Sequence, residues 1–86
     1  MILHIGNGNT VRERDIVGIF DLDNATVTAL GRAFISRATK EKRVSYADAD
    51  IPRSFILLTD GKVVLSHISS SALFARIKER RDIMAR

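Results

Sequence analysis

The sequence predicts an α+β fold, in which a small and mainly antiparallel β-sheet carries one packed helix and the chain ends in a second helix. Three observations lead to this class: short β-branched runs between Gly, Asn and Asp turns, one segment with helical spacing of apolar residues, and a serine run before a second helical segment. At 86 residues, the chain is expected to form a single domain over 1–86.

The first part of the chain predicts strands. Residues 1–5 are a short apolar run, and Gly-Asn-Gly-Asn at 6–9 supplies residues that tolerate the positive φ of a hairpin turn. The segments 10–12 and 15–20 continue as extended structure rich in β-branched residues. Asp-Leu-Asp-Asn at 21–24 ends the strand and offers N-caps for a helix.

The segment from about 25 to 38 predicts a helix packed across the sheet after the third strand. Gly31 lies on its apolar stripe, and glycine costs about 1 kcal/mol of helix propensity relative to alanine, so we expect Gly31 to permit close packing against a strand. The other residues of the stripe recur at helical spacing: Val27, Leu30, Phe34, Ile35 and Ala38.

A short connection follows this helix. The basic run Lys-Glu-Lys-Arg at 40–43 ends the helix, and residues 44–47 indicate a brief strand. Residues 48–53 are expected to form a loop, in which Pro52 restricts the residue before it to extended geometry.

The clearest local pattern is a hairpin over residues 54–68. Two apolar runs flank Asp60-Gly61, a pair that favours a two-residue type I′ turn. Residues 55–58 are apolar at every position. We therefore expect a central strand, with the helix on one face and other protein on the other.

A C-terminal helix is predicted over about 72–84. The serines at 69–71 are candidate N-caps. The apolar stripe of this helix is thin and is interrupted by Arg81; its members are Leu73, Phe74, Ile77 and Met84.

Composition argues against several kinds of site. The chain has no cysteine, which excludes disulfides, cysteine-ligated zinc and thiol nucleophiles and makes a cytoplasmic location the expectation. No apolar run approaches the ~20 residues that a membrane-spanning helix needs, so no membrane partner is expected. The glycine-rich turn at 6–9 lacks the Gly-Lys-Ser/Thr of a phosphate-binding loop, and we expect no cofactor.

Catalytic and metal-binding residues are not indicated either. His4 and His67 have no second ligand at metal spacing, so hydrogen-bonded or surface histidines are favoured. Turn and capping roles explain the serines at 69–71 and the aspartates whose spacing suits a metal or an acid–base pair: Asp21, Asp23, Asp48 and Asp50. We therefore expect neither a metal site nor an enzyme.

Positive charge is concentrated in two segments. The net charge is +4, and residues 32–43 and 76–86 hold the excess, although Lys and Arg also favour helix ends for dipole reasons alone. Lys and Arg in turns and at strand ends can bind DNA phosphates: Arg12, Arg14, Arg53, Lys40, Lys42 and Arg43. The alternative is that Glu13 and Asp15 neutralise Arg12 and Arg14 as surface ion pairs, and periodicity does not choose between the two.

Three stretches resemble a bacterial protein family. These are Arg-Asp-Ile-Val-Gly-Ile-Phe-Asp at 14–21, His-Ile-Gly-Asn-Gly-Asn at 4–9, and the segment 61–73 with its Ser-Ser-Ser-Ala-Leu. Over about residues 2–77 the chain resembles the small extracellular-matrix (biofilm) regulators, specifically the RemB type. The family also contains RemA, whose members resemble LytTR-type DNA-binding domains in fold, form rings of identical subunits and bind promoter DNA to activate matrix and osmoprotection genes.

The resemblance transfers only in part to the basic residues. RemA-type proteins hold an arginine just before a strand, where this chain has Asp15 with Arg14 beside it. They also hold an arginine-rich turn before the central strand, of which Arg53 matches the last residue while Asp48 and Asp50 replace others. A carboxylate repels phosphate, so these aspartates argue against DNA binding at the same surface as in RemA. The alternative is that DNA binds to a second group of basic residues: Lys40, Lys42 and Arg43.

The resemblance implies a LytTR-like subunit in a ring or other homo-oligomer that regulates transcription of matrix genes at the nucleoid. Double-stranded DNA is its expected partner, and a RemA-like paralogue is a further one. The alternative is an oligomeric scaffold or protein-interaction module that does not bind DNA, which the three aspartates favour.

Overall fold

The computed structural model describes the backbone of residues 1–84 and the side chains of residues 1–79. Its elements are β1 (Ile2–Gly6), β2 (Asn9–Arg12), β3 (Ile16–Asp21), α1 (Leu22–Val27), α2 (Ala29–Lys40), β4 (Val44–Tyr46), β5 (Ser54–Leu58), β6 (Val63–Ser66) and α3 (Ser70–Met84). A 3₁₀ turn, Glu13–Asp15, joins β2 to β3. The predicted α+β class is confirmed.

The strands form two sheets. The antiparallel pair β1–β2 is one, and the other has the order β3-β5-β6-β4. In the four-stranded sheet β4 runs parallel to β6, while the other neighbours are antiparallel. Consequently β3, β4 and β6 all run in one direction and β5 runs in the other.

The chain covers both faces of the four-stranded sheet. One face packs against the β1–β2 hairpin and α3 through Leu3, Ile5, Ile19, Ala47, Ile56, Val64 and Leu73. The other face packs against α1 and α2 through Ala38, Phe55, Val63 and Leu65. The central strands β5 and β6 supply side chains to both clusters, which explains their continuous apolar runs. The sequence predicted that other protein would cover the second face of β5. In the structure, the β1–β2 hairpin and α3 of the same chain cover it.

The first predicted helix is in fact two helices. Thr28 is extended, with φ −91° and ψ 149°, and its Oγ1 accepts a hydrogen bond from the Gly31 N–H, so that it ends α1 and caps α2. Because of this break, Val27 and Leu30 are exposed instead of packed on the sheet. Gly31 approaches α1 and not a strand: a Cβ atom there would lie 1.8 Å from the carbonyl oxygen of Ala25.

The predicted caps are present. Asp21 Oδ1 accepts from the Asn24 N–H at the start of α1, and Ser69 Oγ accepts from the Ala72 N–H at the start of α3. Leu73 is buried, but Phe74 of the predicted stripe is exposed. The side chains of Arg81 and Met84 lie outside the described residues.

The two hairpins turn differently. Asn7-Gly8 has φ of 49° and 76°, as a two-residue type I′ turn requires. At the β5–β6 connection the Leu58 N–H donates to the Lys62 carbonyl and the Gly61 N–H to the Leu58 carbonyl, which closes a three-residue loop. Only Gly61 in this loop has a positive φ, 88°. The predicted type I′ turn is therefore wrong here, and a type I turn followed by a left-handed glycine replaces it.

Candidate nucleic-acid interface

The strand directions give the four-stranded sheet two chemically different ends. At the amino ends of β3, β4 and β6 lie six cations and four carboxylates: Arg12, Arg14, Lys40, Lys42, Arg43 and Lys62, with Glu13, Asp15, Glu41 and Asp60. We call this the basic end. At the opposite end, the acidic end, lie four carboxylates and one arginine: Asp21, Asp23, Asp48, Asp50 and Arg53.

Five of the six predicted DNA-binding residues therefore lie at one end. The carbonyl of Asp15 accepts from the Thr59 N–H at 2.8 Å, and the carbonyl of Arg43 accepts from the Val63 N–H at 2.9 Å, so both basic segments border the β5–β6 loop. Arg53 is the exception, because its N–H donates to the Ser66 carbonyl at the acidic end. The length of β3 separates it from the other five by roughly 20 Å.

Arg43 is the most firmly held of these cations. Its Nη1 donates to the Gly61 carbonyl at 2.7 Å, and its Nε and Nη2 donate to Glu41 Oε1 at 3.0 and 2.8 Å. Its guanidinium also lies 6.0 Å from the ring centroid of Phe34. The hydrogen bond from Arg43 lowers the pKa of Glu41, so the pair stays ionised and Arg43 mainly fixes the loop.

Arg12 is also paired. Its Nε lies 2.9 Å from Asp15 Oδ2, with both side chains accessible to solvent. For this pair, the predicted alternative of a neutralised surface arginine is confirmed. Three predicted cations have exposed side chains without an ion pair or side-chain hydrogen bond to any described residue: Arg14, Lys40 and Lys42.

The acidic end is organised around Asp48. Its Oδ2 lies 2.5 Å from Nδ1 of His67, and only 7% of the Asp48 side chain is exposed. The hydrogen bond from His67 lowers the pKa of Asp48. Asp48 Oδ2 also lies against Gly6, where an added Cβ would stand 2.3 Å away. The sequence does not reveal this contact, because no pattern links positions 19 residues apart.

Asp48, Asp50 and His67 bring ligand atoms within 4.8 Å of one another. Two contacts hold this group: Asp48 Oδ1 accepts from the Asp50 N–H at 3.1 Å, which confirms the predicted turn role of Asp48, and Asp48 Oδ2 contacts His67 Nδ1. His4, in contrast, has an exposed side chain, and its carbonyl accepts from Arg76 Nη1.

No helix in the part of the chain that the structure describes is both long and apolar enough to cross a lipid bilayer.

A family model described as RemA-like, extracellular matrix regulatory protein A-like, matches residues 2–77. No curated protein matches the chain. The matched region contains every strand, α1, α2 and the first half of α3. The chain therefore belongs to the RemA-like family of extracellular matrix regulatory proteins.

Proposed function

We propose that this protein is a small DNA-binding transcriptional regulator of extracellular matrix (biofilm) genes, of the RemB type, which acts at the nucleoid as a homo-oligomeric ring. Its family membership supports the regulatory role. The observation that carries DNA binding is the gathering of five candidate cations at the basic end.

The exposed cations of the basic end suit the DNA backbone. Arg14, Lys40 and Lys42 have no described ion pair to break before they bind phosphate, and each phosphate contact releases counterions. Arg14 precedes β3 and Lys42 precedes β4, on the two edges of the sheet. These edges are about 14 Å apart, close to the ~12 Å width of a major groove, so the two corners can reach phosphates on both strands.

Such contacts position the protein without reading bases. One subunit then has only a weak, salt-dependent affinity. Several identical subunits along one duplex add their contacts through effective concentration, which is the physical reason for an oligomer.

The test is a salt titration of binding to a promoter fragment. Lys40→Gln with Lys42→Asn removes two charges, and asparagine tolerates the left-handed φ of 57° at position 42. We expect weaker binding and a slope of log K against log salt that is smaller by ~0.9 for each lost contact. Arg53→Gln, at the acidic end, is the matched control and should leave affinity and slope unchanged. Equal losses in both variants would contradict the assignment to the basic end.

The second candidate function is an oligomeric scaffold without DNA binding. The pairing of Arg12 with Asp15 and of Arg43 with Glu41 supports it, because both arginines are already neutralised. This function predicts an intact oligomer in light scattering, no shift of any duplex at low salt, and a protein partner in a pull-down.

A further inference from the structure

The turn of the β1–β2 hairpin consists of an asparagine followed by a glycine, Asn7-Gly8. Both residues are exposed, and no atom lies within 4 Å of the position that a Cβ atom would take on Gly8. Neither the Asn7 side chain nor the Gly8 N–H has a hydrogen bond with a described residue. The side-chain amide of Asn7 and the backbone nitrogen that follows it are therefore both accessible for reaction with each other.

The other two asparagines of the chain are held in place. Asn9 lies in β2, donates from its side-chain amide to the Ala47 carbonyl and precedes the β-branched Thr10. Asn24 lies in α1, where helical dihedrals keep the following nitrogen away from the side chain. Asn7 thus differs from both in its surroundings and in the residue that follows it.

A flip of the peptide plane between Asn7 and Gly8 brings the two groups together. In a type I′ turn, ψ of the first central residue is about 30°, and the next nitrogen points away from the side chain. The flip gives type II′, in which ψ is about −120° and the nitrogen lies beside the side-chain carbonyl carbon. Both types close a two-residue hairpin, so the β1–β2 ladder stays intact.

The flip needs little rearrangement. It breaks no hydrogen bond to a described residue, because neither the Asn7 carbonyl nor the Gly8 N–H makes one. Only Gly8 changes the sign of φ, which glycine allows. An asparagine in the first position of a type II′ turn is strained, so the flipped turn is a minor conformer that sets a slow rate.

We propose that Asn7 is a site of spontaneous deamidation in the folded protein, by way of this flipped turn. The Gly8 nitrogen, after losing its proton to hydroxide, attacks Asn7 Cγ. The new N–Cγ bond closes a succinimide ring, the Cγ–Nδ2 bond breaks, and ammonia leaves with a proton from water. A second water molecule opens the ring at Cγ to give aspartate, or at the main-chain carbonyl to give isoaspartate. No electron is transferred, and the reaction is independent of DNA binding.

Both products place a carboxylate in a turn that borders the acidic end. Gly6, next to Asn7, lies against Asp48 Oδ2. Isoaspartate also adds one carbon to the main chain of a two-residue turn, while the Ser66 Oγ bond to the Ile5 carbonyl holds one flank of that turn in place. We therefore expect the isoaspartyl protein to melt at a lower temperature.

Incubation of the full chain in mildly alkaline buffer, followed by peptide mass spectrometry, tests the site. Loss of the amide at residue 7 adds about 1 Da, and methyl transfer by an isoaspartyl methyltransferase identifies isoaspartate. The rate should rise with pH, because hydroxide removes the Gly8 proton. It should be about tenfold higher at Asn7 than at Asn9 and Asn24, the internal controls. Equal rates at the three asparagines would overturn the proposal.

The same incubation in urea tests the flipped turn. The unfolded fraction of a small domain is about 10⁻³ or less, so a reaction that requires unfolding would be at least about a thousandfold slower in native buffer than in urea. Reaction through the strained turn predicts a slowing of about ten- to a hundredfold. A thousandfold slowing would contradict deamidation in the folded protein.

Asn7→Gly is the matched variant, because Gly-Gly also suits a type I′ turn and has no amide to lose. Its melting temperature should stay constant during an incubation that lowers the melting temperature of the protein with Asn7. An equal fall in both proteins would show that deamidation of Asn7 does not weaken the hairpin.

Discussion

The acidic and basic ends of the four-stranded sheet are held together by different interactions. At the acidic end, buried hydroxyl groups donate at short distance to loop and hairpin carbonyls: Ser66 Oγ to Ile5 at 2.6 Å and Ser54 Oγ to Ile68 at 2.7 Å. At the basic end, the charged side chains pair on the surface. Loss of a buried hydrogen bond costs about 1–3 kcal/mol, whereas an exposed ion pair contributes ~0–1 kcal/mol. The difference indicates that the interactions at the acidic end contribute more to the stability of the fold than those at the basic end.

The hydrogen bonds at the acidic end join the β1–β2 hairpin to the four-stranded sheet. Besides the bond from Ser66 to Ile5, the Asn9 side-chain amide donates to the Ala47 carbonyl, and Gly6 lies directly against Asp48. The hairpin thus covers one face of the sheet because its turn is bonded at the acidic end.

Gly6→Ala should cause the largest loss of stability at the acidic end. Gly6 has φ 130°, and the new methyl group would meet Asp48 Oδ2, so we expect a loss of about 3 kcal/mol of unfolding free energy in urea titration. Gly8→Ala is the matched control in the same turn. Its φ is 76° with no atom within 4 Å, and about 1 kcal/mol is expected. Equal losses would show that Asp48 does not hold the hairpin.

Asp48→Asn should change how the stability of the fold depends on pH. The lowered pKa means that the unfolded carboxyl binds its proton at a higher pH than the folded one, so the ionised form stabilises the fold above the ordinary pKa of ~3.9. This stability is lost as pH falls through the lowered pKa. Urea titrations below pH 4 should therefore show a flatter pH dependence for Asp48→Asn than for the unmodified protein.

The control for this series is Asp50→Asn, because Asp50 contributes its backbone N–H to the turn and its side chain is exposed. It should keep the pH dependence of the unmodified protein. If the unfolding free energies of Asp48→Asn and of the unmodified protein change with pH in parallel, the ionised Asp48 carboxylate does not stabilise the acidic end.

Asp15→Asn should have the smallest effect on stability, about 0.5 kcal/mol, since it breaks only the exposed pair with Arg12. At the proposed DNA-binding surface the same substitution should raise DNA affinity about two- to threefold, because it removes a carboxylate near the proposed phosphate contacts and releases Arg12. Asp50→Asn at the acidic end should not change affinity. A stability loss well above 1 kcal/mol would mean that the basic end also fastens the fold.

The sequence predicted the strands, both hairpins and the C-terminal helix, because alternating turn residues and apolar runs are local patterns. It missed the break at Thr28, since the apolar spacing from Val27 to Ala38 continues through it while the cap depends on local hydrogen bonds. It also placed a type I′ turn in the second hairpin, because Asp-Gly suits several loop lengths and only the bonds of Leu58 fix this one.

For the site, the sequence identified the cations but not their arrangement. Five of them meet only because β3 and β4 run parallel, and pairing of strands distant in sequence is not visible in composition. The contact between Asp48 and His67 has the same origin, since both follow the carboxyl ends of parallel strands.

The common direction of β3, β4 and β6 has a consequence for diffusion. Among the described residues at the two ends of the sheet, cations are in excess at the basic end and carboxylates at the acidic end, and the field of a polyanion exerts a torque on such a dipole before contact. Rotation toward the orientation proposed for DNA binding then begins at a distance. Association should accelerate as ionic strength falls and the Debye length grows beyond ~10 Å.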